Sequence, residues 1–139
     1  MHPFKHGIAA IIFLLSIAVP AAAGPIEDGE AAYQSGNYST ALRLWRPLAE
    51  RGDAGAQFNL GVMYNNGRGV PKDYARAYMW FSLAAAGGDQ TAGDYRDTVE
   101  KSMSQAQIAE AQKLAREWKP SGASKGAPTS RPSSNQQTR

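Results

Sequence analysis

The chain has 139 residues, a formal net charge of +3, no cysteine and two histidines. Lacking cysteine, it cannot build a disulfide framework, a thiolate metal site, a cysteine nucleophile or a lipid-modified N-terminal cysteine. Apolar residues make up 42% and charged residues 19%, a balance that predicts one globular domain with something appended rather than a wholly disordered chain.

Residues 1–23 are expected to be an address. A short n-region carries Lys5, an apolar run follows from Ile8 to Val19, Pro20 breaks it, and Ala21-Ala22-Ala23 supplies small residues for cleavage after Ala23. Twelve residues fall short of the ~20 needed to span a bilayer, so a cleaved signal peptide is expected, with no stable membrane insertion afterwards. The alanine-rich cleavage site suggests bacterial export and a periplasmic or secreted location. His2 and His6 leave with the segment. The processed chain then offers neither a Ser-His-Asp triad nor the usual zinc ligands, and no metal, cofactor or enzymatic activity is expected.

Residues 24–118 are the expected folded unit, and they repeat. At an offset of 36, Asn37-Tyr38 falls on Asp73-Tyr74, Ala41 on Ala77, Trp45 on Phe81, Ala49 on Ala85, Gly52-Asp53 on Gly88-Asp89 and Ala56 on Ala92. Upstream, Tyr33 is matched with Tyr64 at an offset of 31, which gives the later unit five extra loop residues within 67–72. Apolar residues recur at i, i+4, i+7 and i+8 (Ala41, Trp45, Leu48, Ala49; Ala56, Leu60, Met63, Tyr64; Ala77, Phe81, Ala84, Ala85), the spacing of a helix face. Asn37, Asp53, Asp73 and Asp89 are N-cap residue types, and Gly52 and Gly88 stand where helices end. The pattern predicts helices over 26–35, 38–51, 54–66, 74–87, 90–101 and 105–118. No period-2 run is long enough for a strand. Ser104-x-x-Gln107 is a capping box for the last helix, which is expected to close the stack and set Trp118 against the preceding pair. Gly61 and Ala77 are expected where paired backbones approach closely.

Residues 119–139 contain no aromatic residue and no Val, Ile, Leu or Met. Such a stretch cannot bury enough surface to fold, so a disordered tail is expected from Pro120 onward. Lys125, Arg131 and Arg139 carry its charge, while residues 24–119 hold eleven Lys and Arg against twelve Asp and Glu. The folded part is therefore close to neutral, which argues against a nucleic-acid partner.

The segment 54–88, AGAQFNLGVMYNNGRGVPKDYARAYMWFSLAAAGG, resembles a Sel1-like repeat. The match rests on A-x-A-Q-x-x-L-G-x-x-Y from Ala54 to Tyr64, on N-G-x-G-V-P-K-D-Y from Asn66 to Tyr74, and on the Ala77, Trp80, Ala84-Ala85 and Gly88 spacing. Residues 28–52 lack the long loop and look closer to a tetratricopeptide unit. The third unit keeps Asp89 and Ala92 but has Arg96-Asp97 where the L-G pair would stand. The resemblance implies an all-α, right-handed α/α solenoid of about two and a half helix pairs with a C-terminal capping helix. It also implies an adaptor without catalysis of its own that holds a protein or peptide partner in a concave groove; with the expected export, the partner is expected in the cell envelope and the chain as a monomer. The implied groove positions are Gly55, Phe58, Val62, Asn65 and Asn66, with Glu27, Ala31 and Gln34 in the first unit and Asp94, Thr98 and Lys101 in the third. Asparagine amides there can hydrogen-bond an extended peptide backbone. Equally, Asn65 and Asn66 can simply turn the helix end, and Phe58 can pack on the neighbouring helix.

Two rival chemistries remain on the residues. Tyr and Trp side chains could stack envelope glycans, with Tyr78 and Trp80 the candidates for exposure beside the Ala77–Phe81 stripe; at helical spacing such rings more often form core. Asp94 and Asp97, at i and i+3, could pair carboxylates for hydrolysis, and Glu27, Asp28 and Glu30 cluster near the first helix. Acids in a first helical turn serve the helix dipole equally well. The G-x-G of Gly67 and Gly69 follows no strand, so it is a poor phosphate loop.

Overall fold

The computed structural model describes residues 23–122. The expected signal peptide lies outside them but for Ala23, as does the expected tail beyond Gly122. Among the described residues six helices form: α1 (Pro25–Gln34), α2 (Tyr38–Glu50), α3 (Ala54–Asn66), α4 (Tyr74–Ala86), α5 (Gln90–Glu100) and α6 (Gln105–Glu117). No strand occurs among the described residues. The fold is an all-α solenoid.

Local chemistry sets the boundaries. The side chains of Asn37, Asp53, Asp73, Asp89 and Ser104 each accept a backbone N–H of the first turn that follows, satisfying donors a helix start leaves free. Ser104 and Gln107 close their capping box reciprocally, at 3.2 and 2.8 Å. Gly52 and Gly88 adopt φ of 104° and 103°, conformations open to glycine. There the N–H of Asp53 returns to Leu48 O and that of Asp89 to Ala84 O, both at 3.0 Å. Each reversal thus ends one helix and caps the next within two residues. Pro47 lies inside α2, within the helix expected over 38–51. It removes one donor and is exposed, and the helix continues to Glu50.

Consecutive helices pack on one another from α1 to α5, and α6 returns to α4. Burial follows from that order. α1, at the edge, buries only Gly29, whereas α3, between α2 and α4, buries six residues including Leu60, Gly61, Met63 and Tyr64. Central α4 touches three helices and buries Ala77 through Phe81 as a run. Tyr78 and Trp80, the candidates of which one could be exposed, are therefore both core, at 7% and 8% exposure. For Trp80 the cause is α6, whose end sets Trp118 edge-on to it with ring centres 6.4 Å apart. No shelf for glycan stacking forms there. Ser121, placed by composition in the tail, donates from N–H (2.7 Å) and from Oγ (3.0 Å) to Glu50 O, so the chain at this point is tied to the end of α2.

The glycines fix the register between pairs. A Cβ on Gly61 would stand 2.6 Å from the Phe81 ring, and one on Gly29 would overlap the indole of Trp45. Gly29 therefore plays in the first pair the part of Gly61 in the second. Helix ends agree, since α1 stops at Gln34 and α3 at Asn66. The first-helix offset is thus 32, not the 31 given by pairing Tyr33 with Tyr64. Three residues join α1 to α2 and seven join α3 to α4, so the later loop is longer by four residues, not five. Tyr64 is buried while Tyr33 stays half-exposed on another face.

Candidate functional site: a concavity across the first helices

One helix from each pair contributes to a common depression. α1 brings Glu30, Tyr33 and Gln34; α3 brings Phe58, Asn59, Val62 and Asn66; α5 brings Tyr95, and Trp45 of α2 lies at the bottom. This half encloses about 340 Å³. It continues into a wider basin of about 530 Å³ between the end of α3, the following loop and α5, lined by Asn65, Asn66, Arg68, Lys72, Tyr74, Tyr95, Thr98, Val99 and Ser102. Asn66 and Tyr95 line both halves and make them one surface.

Aromatic packing holds the walls in place. Phe81 is fully buried; Phe58 rests on it at 5.6 Å, and Tyr95 contacts both rings at 5.0 and 5.5 Å while remaining 44% exposed. Offset and edge-on pairs of this kind each add about 0.5–1.5 kcal/mol beyond burial. Phe58 thus does both things expected of it, packing on a neighbour and lining the groove. On the opposite wall Tyr33 meets Tyr38 edge-on at 5.0 Å and leans on Trp45 at 5.8 Å. The Trp45 Nε1–H donates to Ile26 O at 3.1 Å, a bond that the missing side chain of Gly29 makes reachable. Tyr33 Oη accepts from Asn66 Nδ2 (3.3 Å) and from Arg68 Nη1 (3.5 Å), linking the two halves. That hydroxyl, and the rings of Tyr33 and Tyr38 beside it, hold the Arg68 guanidinium above its ordinary pKa.

The structure gathers Phe58, Val62, Asn66 and Gln34 in the first half and Asn65, Asn66 and Thr98 in the second. Gly55, Glu27, Ala31 and Asp94 line neither half, and Lys101 lies against a separate shallow depression beside α6. For the first unit the reason is the register. A shift of one residue turns a side chain by about 100° around a helix; at the offset of 32, Glu30 matches Val62 and Tyr33 matches Asn65, the places assigned to Ala31 and Gln34. Gly55 sits in the first turn of α3, near its cap. Asp94 is exposed, and its neighbour Tyr95 faces Phe58 instead. Glu30, Tyr33, Asn59, Tyr95 and Arg68 were not among the expected groove residues. The Gly29–Trp45 and Gly61–Phe81 pairs are the signal that would have found the first two.

The carboxylates do not form a working pair. Asp97 Oδ1 holds Arg96 at 2.7 Å, and both Asp94 and Asp97 are exposed on α5. Hydrogen bonding to Asp97 keeps the Arg96 guanidinium above its ordinary pKa. Among the described residues no three His, Cys, Asp or Glu side chains gather as a metal site, and no helix is long and apolar enough to cross a membrane.

Comparison with known proteins agrees with this architecture. Residues 24–53 and 54–89 each match the Sel1 repeat, so the first unit, expected nearer to a tetratricopeptide unit, falls in the same family as the second. DAP3-binding cell death enhancer 1 of Rattus norvegicus is 29% identical over 77 residues, which cover 55% of this chain and 15% of the relative. Its counterpart in Mus musculus is 30% identical over 77 residues, 54% of this chain and 14% of the relative. The chain therefore spans a small part of the length of these curated relatives. Sel1 repeats generally mediate protein–protein interaction, and the family is typically non-catalytic. With two matching repeats and the helix pairs that the motif encodes, the chain is a Sel1-repeat protein.

Proposed function

We propose that the protein is a non-catalytic adaptor that holds an extended segment of a protein partner in the concavity of α1, α3 and α5. The observation that carries the reading is the continuity of the two halves through Asn66 and Tyr95. Apolar side chains of Phe58 and Val62 offer an anchor, and the amides of Gln34, Asn59 and Asn66 offer both donors and acceptors to a peptide backbone. The rodent relatives are named for binding DAP3, in keeping with that use of the fold. A photocrosslinking residue at Val62 tests it against the same residue at Gln112, exposed on α6. Protein adducts several-fold richer from position 62 are expected. Equal yields, or adducts from position 112 alone, would overturn the groove assignment.

The adaptor works as an exported monomer of the cell envelope. The support is the sequence of residues 1–23, with its apolar run, Pro20 and three alanines. Protein recovered from the exported fraction should begin at Gly24, and a start at Met1 would remove the proposal. Sedimentation at the monomer mass checks the assembly state.

A further inference from the structure

We infer that the wider half of the concavity is a receptor for carboxylate side chains, so that the partner segment carries Asp or Glu where it crosses the end of α3. This rests on the groove reading above and names the partner's chemistry. Among the described residues, the lining holds two cations, Arg68 and Lys72, with the amides of Asn65 and Asn66 and the hydroxyls of Thr98 and Ser102, and no carboxylate. Residues 24–119 carry slightly more acid than base, so this excess of positive charge is local. The ion pairs among the described residues, Arg76 with Asp73 and Arg96 with Asp97, use neither Arg68 nor Lys72.

Arg68 is also held ready. It follows Gly67, which ends α3 in a left-handed turn, and its N–H returns to Met63 O at 3.1 Å. Its guanidinium lies 5.7 Å from the Tyr33 ring and 5.5 Å from that of Tyr38, with one donor on Tyr33 Oη. The remaining donors are exposed and suited to a carboxylate, which guanidinium binds in a planar, two-point fashion. Lys72 Nζ is set 4.9 Å over Tyr74. Stacking on rings positions both cations without neutralising them. Two cations on an otherwise balanced surface match one or two carboxylates of a peptide; a nucleic-acid backbone would need a longer basic track. Glu30 stands in the other half of the groove, so the site differs in charge from end to end and orients the segment it holds.

The test is a random-peptide display selection on the full-length chain, followed by titration of a selected fluorescein-labelled peptide. Selected sequences should be rich in Asp and Glu. Changing those residues to amides, or introducing Arg68→Gln with Lys72→Gln, should weaken binding about tenfold, as loss of a charge-assisted hydrogen bond does. Lys72→Gln alone, which leaves the Arg68 stack intact, should weaken it several-fold and guards against misfolding of the double variant. Peptides without acidic bias that ignore both cation variants yet are lost on Val62→Glu would overturn the carboxylate receptor and leave the groove standing. Absence of any peptide sensitive to Val62→Glu would remove both readings.

Discussion

Gly29 beneath Trp45 and Gly61 beneath Phe81 show how one missing methyl group fixes the spacing of a helix pair. Alanine is normally favoured over glycine inside a helix by about 0.5–1 kcal/mol. At Gly61 that gain is reversed, because the new Cβ would meet two ring carbons at 2.6 Å in a site with no room to yield. Gly61→Ala should lose about 1–3 kcal/mol by overpacking, read as a lower urea midpoint. In a Phe81→Leu background the loss should shrink, and a strictly additive double variant would show that the ring is not the obstacle. Gln57 makes the complementary point with a polar group. It is 2% exposed, and its Nε2 donates to Ala49 O at 3.1 Å, joining the start of α3 to the end of α2. Gln57→Leu should cost about 1 kcal/mol at every pH, the worth of one hydrogen bond. Gln57→Glu places a carboxyl in a dry site facing a carbonyl, and burial raises its folded pKa above the unfolded ~4.3. The folded state then binds more protons, so stability is retained below the unfolded pKa and lost as pH rises through the folded one. Urea midpoints at pH 4 and pH 8 should separate for Gln57→Glu and stay together for Gln57→Leu.

The helices were legible to the extent that their causes are local. Asn37, Asp53, Asp73, Asp89 and Ser104 bond within three residues of themselves, so a linear reading finds them and the helix starts they mark. The groove was harder, because its first wall depends on rotation about α1. Pairing Tyr33 with Tyr64 by letter slipped that helix by one residue and put Ala31 and Gln34 in the places of Glu30 and Tyr33. Only contact across the pair, Gly29 against Trp45, carries the true register. The burial of Trp80 was illegible for another reason, since it depends on α6 returning to α4 from more than twenty residues downstream. That return is testable. Trp118→Ala removes the ring packed on Trp80 and should cost about 2 kcal/mol, less than the 3–5 of a fully buried aromatic because Trp118 is half-exposed. The remaining tryptophan emission should shift to the red as Trp80 meets water. Unchanged emission would mean that α6 does not shield it.

Contacts between successive helices distribute stability unevenly along the stack. Solenoids of this kind gain stability from each unit and from its interfaces with neighbours, so an edge helix is held from one side only. α1 buries a single glycine and α5 two residues, whereas α3 and α4 bury six each. Amide hydrogen exchange should therefore be slowest in α3 and α4 and fastest in α1, with α5 between, as expected where few buried contacts resist local opening. Equal protection of α1 and α3 would contradict the nearest-neighbour picture. The same gradient bears on function. The concavity has a firm floor on α3 and two more labile walls, one on α1 through Tyr33 and Gln34, the other on α5 through Tyr95 and Thr98. A partner lying across all three helices binds the closed arrangement of both walls, and so must slow exchange in α1 and α5 together. Protection confined to one wall would place the partner on an outer face of the stack, and the groove would then be empty during binding.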